Sequence, residues 1–371
     1  MTKKRESNFE LLRILACVMV VSHHFVVKGN GIVPESSFAF SQILYMILLP
    51  WGKIGVNCFI LLSGYFLSKK PAGTSRVLRL VWTVTIYSII SQLLLMFGPL
   101  DAEPLDWKAA LLPIAYNTVG WFVGPFLAMT ILSGAINKML EHLEHADWVR
   151  LMFSFAGVSL LCTNVLPHST FVVDQFVWFV FLYIIGAYLR QYPARWMQNR
   201  RLLLLLNEAA AALLFLAQAM IRVLVKGNPS KLYLSNYYAE NGNSVFCLVC
   251  AVLLFLLCRS IRLQNSVVNW VAGSCFGIYL LTDCTALGTL FWSHVAELEL
   301  YAQGAPRLLL GTILSVTAVF GITLVIAKAA YYILERPLFS LWQWAEVQWE
   351  RFEAFVCKNW NLDKEVISNG R

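Results

Sequence analysis

Residues 9–27 read FELLRILACVMVVSHHFVV. A helix needs about 20 mainly apolar residues to cross the hydrocarbon core of a bilayer, and this run has that length while enclosing Arg13, His23 and His24. A secretory leader would have a shorter apolar region ending at small residues. The basic flank MTKKRESN is instead followed by a long run with no such cleavage site, so the segment is expected to remain as a first membrane span. Comparable runs recur near 47–67, 77–98, 111–136, 149–166, 174–189, 202–225, 243–258, 267–291 and 308–334, which with the first makes ten expected spans. Their lengths suit helices rather than the alternating segments of a membrane barrel.

Composition agrees. Of 371 residues, 58% are hydrophobic and 13% charged, about half the charged share of an ordinary soluble domain, and the mean hydropathy is +0.64. The fold class read from the sequence is therefore all-α, a polytopic integral membrane protein of about ten transmembrane helices. Residues 1–340 form the expected transmembrane domain. Residues 341–371 form an expected cytoplasmic tail whose Trp-rich LWQWAEVQWERFEAF reads as an amphipathic helix lying along the interface.

Lys and Arg accumulate in cytoplasmic loops. With the N-terminus inside, Lys69, Lys70, Arg76, Arg79, Lys138, Arg150, Arg190, Arg195, Arg200, Arg201, Arg259 and Arg262 all fall on the inner side. Lys28, Lys108, Lys226, Lys231 and Arg307 are spread over the outer loops. This places the chain in the cell membrane, multi-pass, with both termini cytoplasmic. The net charge of +8 then matches an anionic lipid face, and no nucleic acid partner is expected. The nine cysteines form no spaced framework, and Cys247 and Cys250 of CLVC read as apolar filler.

An ionisable group inside a membrane helix costs about 2.5–3.5 kcal/mol on insertion scales, so its role should be sought. Arg13 and His24 are eleven residues apart. At 100° per residue that is three turns plus roughly 20°, which puts both on one helix face about 16 Å apart. His23 points about 100° away, toward a neighbouring helix. Arg76 and Arg79, three apart at the mouth of the third helix, project from one side, an arrangement suited to gripping phosphates with forked donors. The Ser63–Gly64 pair late in the second run reads first as close packing.

In these residues and their order the chain resembles the membrane acyltransferase-3 family over roughly residues 7–340. The resemblance rests on SNFELLRILACVMVVSHHF, with Arg13, ten residues, then His24; on GVNCFILLSGYFL; on RVLR; on GWFVGPFLAMTILSGAINKML; and on a closing YYILERP. It implies an O-acyltransferase that moves an acyl group, acetyl first among the candidates, from acyl-CoA to hydroxyls of a surface or secreted glycan. By position it implies His24 as catalytic imidazole with Arg13 as its functional partner. Arg76 and Arg79 become contacts for the donor, and Ser63, Tyr65 and Asp283 line the site. No permanently bound cofactor and no metal are implied; acyl-CoA is the donor substrate. Relatives with the same opening often carry GIYLIHDNP in a late helix, whereas this chain reads GIYLLTDCT, with Thr282 in the histidine's place and Asp283 retained, a departure that implies a different acceptor or reduced activity. No hydrolase-like soluble domain is expected within the chain, so any such function would come from a separate extracytoplasmic partner protein.

Two other classes place charges or histidines in membrane helices. A transporter or flippase for a glycan or lipid-linked precursor would show broken helices in two related halves, a symmetry the sequence does not display. A metal or haem protein would have to use His23 and His24, which diverge on a helix and cannot easily share an ion.

Overall fold

The computed structural model describes residues 6–29, 39–96, 106–116, 120–164, 175–226, 228, 231, 233–283, 292 and 304–369, and among them all regular structure is helical. In chain order the helices that matter below are α1 (Ser7–Lys28), α2 (Phe40–Leu48), α3 (Trp51–Leu67), α4 (Thr74–Met96), α5 (Trp107–Leu111), α6 (Val123–Glu141), α7 (His145–Asn164), α8 (Gln175–Gln191), α9 (Arg200–Leu224), α10 (Tyr233–Glu240), α11 (Val245–Ser260), α12 (Ser266–Ala272), α13 (Cys275–Asp283), α14 (Ala305–Ala330) and α15 (Phe339–Asn369).

Helix starts follow their capping residues. Asn199 accepts from the Leu202 amide at the head of α9, Ser244 from Cys247 at α11, and Asn265 from Val267 and Val268 at α12. The break between α2 and α3 falls at Pro50, which has no N–H to give to the Met46 carbonyl one turn back. Gln218 of α9, fully buried, supplies that donor at 3.0 Å. The Leu49 carbonyl at the same break meets His23 Nδ1 at 2.5 Å.

The bundle is built around α1 and α3. Along α3, glycines let backbones touch. A Cβ on Gly55 would come within 2.6 Å of the Ala16 carbonyl oxygen of α1, and one on Gly64 within 2.2 Å of the Tyr183 carbonyl oxygen of α8. Gly186 of α8 answers Gly64, since its own Cβ would lie 2.3 Å from the Leu61 carbonyl oxygen. Small residues at such crossings are the usual means of bringing helices together where lipid supplies no hydrophobic drive. α12 and α13 close on the other side of α1, tied at its start by Ser7 and Asn265, which exchange hydrogen bonds of 3.3 and 3.0 Å.

Seven helical stretches among the described residues are long and apolar enough to cross a membrane: Ser7–Lys28, Phe40–Leu67, Thr74–Leu94, Val123–Glu141, Arg200–Leu224, Tyr233–Ser260 and Ala305–Val356. The all-helical membrane class is thus seen directly. The other three expected spans are met by helices of different character. α7 begins in the polar HADWVR, and α8 has 17 residues, the short end of what spans a bilayer. The expected span 267–291 is divided between α12 and α13 at Gly273, and residues 284–291 lie outside those described. After α14 the chain passes through a wide turn at Tyr331–Glu335 and a tight one at Arg336–Leu338, where Pro337 interrupts the ladder, into α15. α15 packs on α4 through Trp342 and Trp82, 6.0 Å between rings, and leaves Trp344, Phe352 and Phe355 exposed.

Two outcomes follow from this packing. Gly64→Ala forces a methyl into the α8 backbone and should destabilise by about 1–3 kcal/mol or more, read as a fall in folded yield and melting temperature in detergent. Gly157→Ala, whose Cβ would meet nothing within 4 Å, should not change either. Single cysteines at the exposed Lys70, Gln198 and Asn228 should label from the inside, the inside and the outside of intact cells respectively, and any other pattern breaks the expected topology.

Candidate active site

His24 lies late in α1 on the face that meets α13, 6% exposed. Its Nδ1 is 3.2 Å from Thr282 Oγ1, and its Nε2 is 3.5 Å from Asp283 Oδ1. The Thr282 hydroxyl also lies 3.0 Å from the Ile278 carbonyl, the normal partner one turn back. A hydroxyl has one proton to give. With that proton on the Ile278 carbonyl, Thr282 accepts from His24 Nδ1–H and the lone pair of a neutral ring falls on Nε2; with it given to Nδ1, Nε2–H faces Asp283 instead.

Asp283 is the point where the site converges. Lys28, one turn beyond His24 on α1, donates to Asp283 Oδ1 at 2.9 Å, to the Asp283 carbonyl at 2.6 Å and to the Thr282 carbonyl at 3.3 Å. The same ammonium therefore caps the carbonyl end of α13, where a cation is favoured by the helix dipole. Tyr279, one turn before Asp283, donates its hydroxyl to Oδ2 at 2.6 Å. Gly120, at φ 78°, approaches the same oxygen so closely that a Cβ there would lie 2.2 Å from it. That left-handed conformation suits glycine, and it brings the following Trp121 to the edge of the site. Lys53, in the first turn of α3, stands 4.2 Å over the Trp121 ring. It lies within electrostatic range of His24, His23 and Asp283.

His23 occupies a different neighbourhood. Its Nδ1 is held by the Leu49 carbonyl, and its ring covers Gly52, where a Cβ would meet Cγ at 2.4 Å.

The other end of α1 gathers guanidiniums. Arg13 Nη1 donates to both oxygens of the buried Glu10 at 2.9 Å. Arg76 is close enough to Arg79 and Arg13 to feel both charges, and Arg79 lies 5.4 Å over the Phe339 ring. The N-terminus of α4, which carries Arg76 and Arg79, is approached from the tail: Ser75 donates to Glu346 at 2.6 Å. Tyr65 stacks with Phe9, Phe66 and Phe255 at 5.0–5.4 Å beneath Arg190, whose Nη1 donates to the Tyr65 carbonyl at 2.6 Å. Ser63 turns its hydroxyl to the Phe59 carbonyl of its own helix.

Of the residues singled out from sequence, the structure brings His24 together with Asp283, and Arg13 together with Arg76 and Arg79. It does not bring Arg13 to His24; the two share a helix but stand about 16 Å apart along it. Ser63 and Tyr65 lie some 15–18 Å of helix from Lys53 and belong to the guanidinium end. Lys28, Lys53 and Tyr279 were not marked as site residues by the sequence reading. Lys28 follows His24 by four and Tyr279 precedes Asp283 by four, so the one-turn spacing could have found both; Lys53 carries no such mark.

An imidazole set beside a carboxylate that would stabilise its protonated form can take a proton from a hydroxyl. A cluster of guanidiniums about 16 Å away can hold an anion. No curated protein and no solved structure matches the chain. Residues 6–332 match the family model described as an acyltransferase domain, of the acyltransferase-3 type, which makes the chain a member of that family and a membrane acyltransferase.

Proposed function

We propose that the protein is an O-acyltransferase of the cell membrane that moves an acyl group, acetyl first among the candidates, from cytosolic acyl-CoA to a hydroxyl of a surface or secreted glycan. The observation that carries this reading is the two-ended α1, with a buried imidazole paired to a carboxylate at one end and a cluster of guanidiniums at the other. Acyl-CoA is anionic at its nucleotide and reactive at the far end of an extended arm. The spacing of about 16 Å between the two ends suits such a molecule, phosphates on Arg76 and Arg79 and thioester toward His24.

In this reading the acceptor hydroxyl gives its proton to His24 Nε2 as its oxygen attacks the acyl carbon. Thr282 holds Nδ1–H, and Asp283 compensates the charge that the ring acquires. Arg13 belongs with the donor's phosphates. The distribution of basic loops supports cytoplasmic termini, which put the guanidinium end on the side where acyl-CoA is made. Thr282 is smaller than the histidine of relatives and supplies a hydroxyl in place of an imidazole, so a distinct acceptor or a lower activity is expected.

His24→Ala should lower ester formation by about 100-fold or more at equal membrane protein levels, the scale of a lost general base. His23→Ala should leave the chemistry intact and lower yield or melting temperature, because it empties the space over Gly52 and strips the Leu49 carbonyl of its partner. A dead His23→Ala beside an active His24→Ala reverses the assignment.

Arg79→Lys keeps the charge and loses the fork. It should raise the KM for acetyl-CoA, followed by thiol release, by about tenfold, within the range of one charge-assisted hydrogen bond. Lys70→Ala, at an exposed position, should not change it. Equal effects at the two sites mean that only diffuse charge matters.

A further inference from the structure

Lys53 is a cation in a membrane helix, and among the described residues it has no oxygen partner. Among the described residues its ammonium makes no hydrogen bond and no ion pair; it rests on the face of Trp121 at 4.2 Å. Other cations inside the bundle end on oxygen. Lys28 reaches Asp283, Arg190 the Tyr65 carbonyl, Arg259 the Leu189 carbonyl, and Lys328 the Trp270 carbonyl. Asp283 and Glu240 lie within electrostatic range of Lys53, yet neither pairs with it.

Its position is fixed from two sides. Gly52, the preceding residue, lies against the His23 ring, and Trp121 is held by the approach of Gly120 to Asp283. The ammonium thereby stands on Trp121 within electrostatic range of His24 and Asp283. A cation–π contact returns about 0.5–2 kcal/mol, less than the roughly 2.5–3.5 kcal/mol that a charge costs in a membrane helix. The imbalance is removed when a negative charge forms beside it.

We infer that Lys53 is a catalytic residue that stabilises the oxyanion of the acyl-transfer intermediate. The inference rests on the acyltransferase reading above. As the acceptor oxygen bonds to the thioester carbon, the C=O π pair moves onto the carbonyl oxygen, and the hydroxyl proton passes to His24. Lys53 compensates the new negative charge. On collapse the C=O bond reforms, the C–S bond breaks, and the proton leaves His24 for the departing sulfur. Lys28 cannot serve in this way because Asp283 and the end of α13 already occupy it.

The full-length protein in detergent or nanodiscs is given acetyl-CoA with water as acceptor, and thiol release is followed for wild type, His24→Ala, Lys53→Met, Lys53→Gln and Lys53→Arg. Melting temperatures show which variants fold. Lys53→Met and Lys53→Gln should lose about 100- to 1000-fold in kcat, the scale of a lost oxyanion donor, with the KM for acetyl-CoA unchanged. Lys53→Arg should retain far more activity than either. If wild type turns over and depends on His24, but Lys53→Met and Lys53→Gln stay within tenfold of its kcat or lose only in KM, the inference is overturned while the acyltransferase reading stands. If wild type releases no thiol, or does so equally without His24, the acyl-CoA reading falls and the inference with it.

Discussion

A carboxylate enclosed in a membrane bundle is tolerable only where cations and hydroxyls reach it, and Asp283 meets that demand with Lys28 on one oxygen and the Tyr279 hydroxyl on the other. His24 stands beside the same group, and Gly120 folds its backbone against it. The C-terminal part of α1, the C-terminal part of α13 and the turn before α6 are thus held together by one charge. Removing the carboxylate would leave Lys28 uncompensated, and breaking a buried pair in this way costs on the order of 3–5 kcal/mol. The contacts that fix the His24 ring are the same contacts that satisfy Asp283, so a change at either residue disturbs both.

The same demand explains many polar contacts far from the site. In hydrocarbon every freed carbonyl needs a donor from the protein itself. Gln218 serves the Met46 carbonyl opposite Pro50, Asn137 the Leu67 carbonyl at the end of α3, Asn8 the Cys258 carbonyl, and Arg190 and Arg259 the carbonyls of Tyr65 and Leu189. Several basic residues that the loop count assigns only to the inner face are therefore also helix caps.

The membrane class was legible because it depends on composition and run length, which need no tertiary information. Helical-face arithmetic correctly set His23 apart from His24, since a 100° rotation is decided within one helix. The same arithmetic said nothing of neighbourhoods. Arg13 and His24 share a face, yet each is served by residues close at hand, Glu10 and Arg76 for the first, Thr282 and Asp283 for the second. Lys28 is readable by its one-turn spacing from His24, yet it lies past the edge of the apolar run, where a basic residue looks like a loop charge. Lys53 was not readable at all, because its meaning comes from Trp121 and Asp283, which are distant in the chain. Residues 284–291 of the last-but-one expected span lie outside the described structure.

The crossing of Gly64 with Gly186 has a mechanical meaning. Two backbones in direct contact leave no side chains between them to repack, so α3 and α8 cannot slide or tilt against each other without separating. They form a fixed stator that carries Lys53 near one end and Tyr65 with Arg190 near the other. Any rearrangement of the bundle is therefore taken up by the helices around this pair, and the separation between its two ends stays constant.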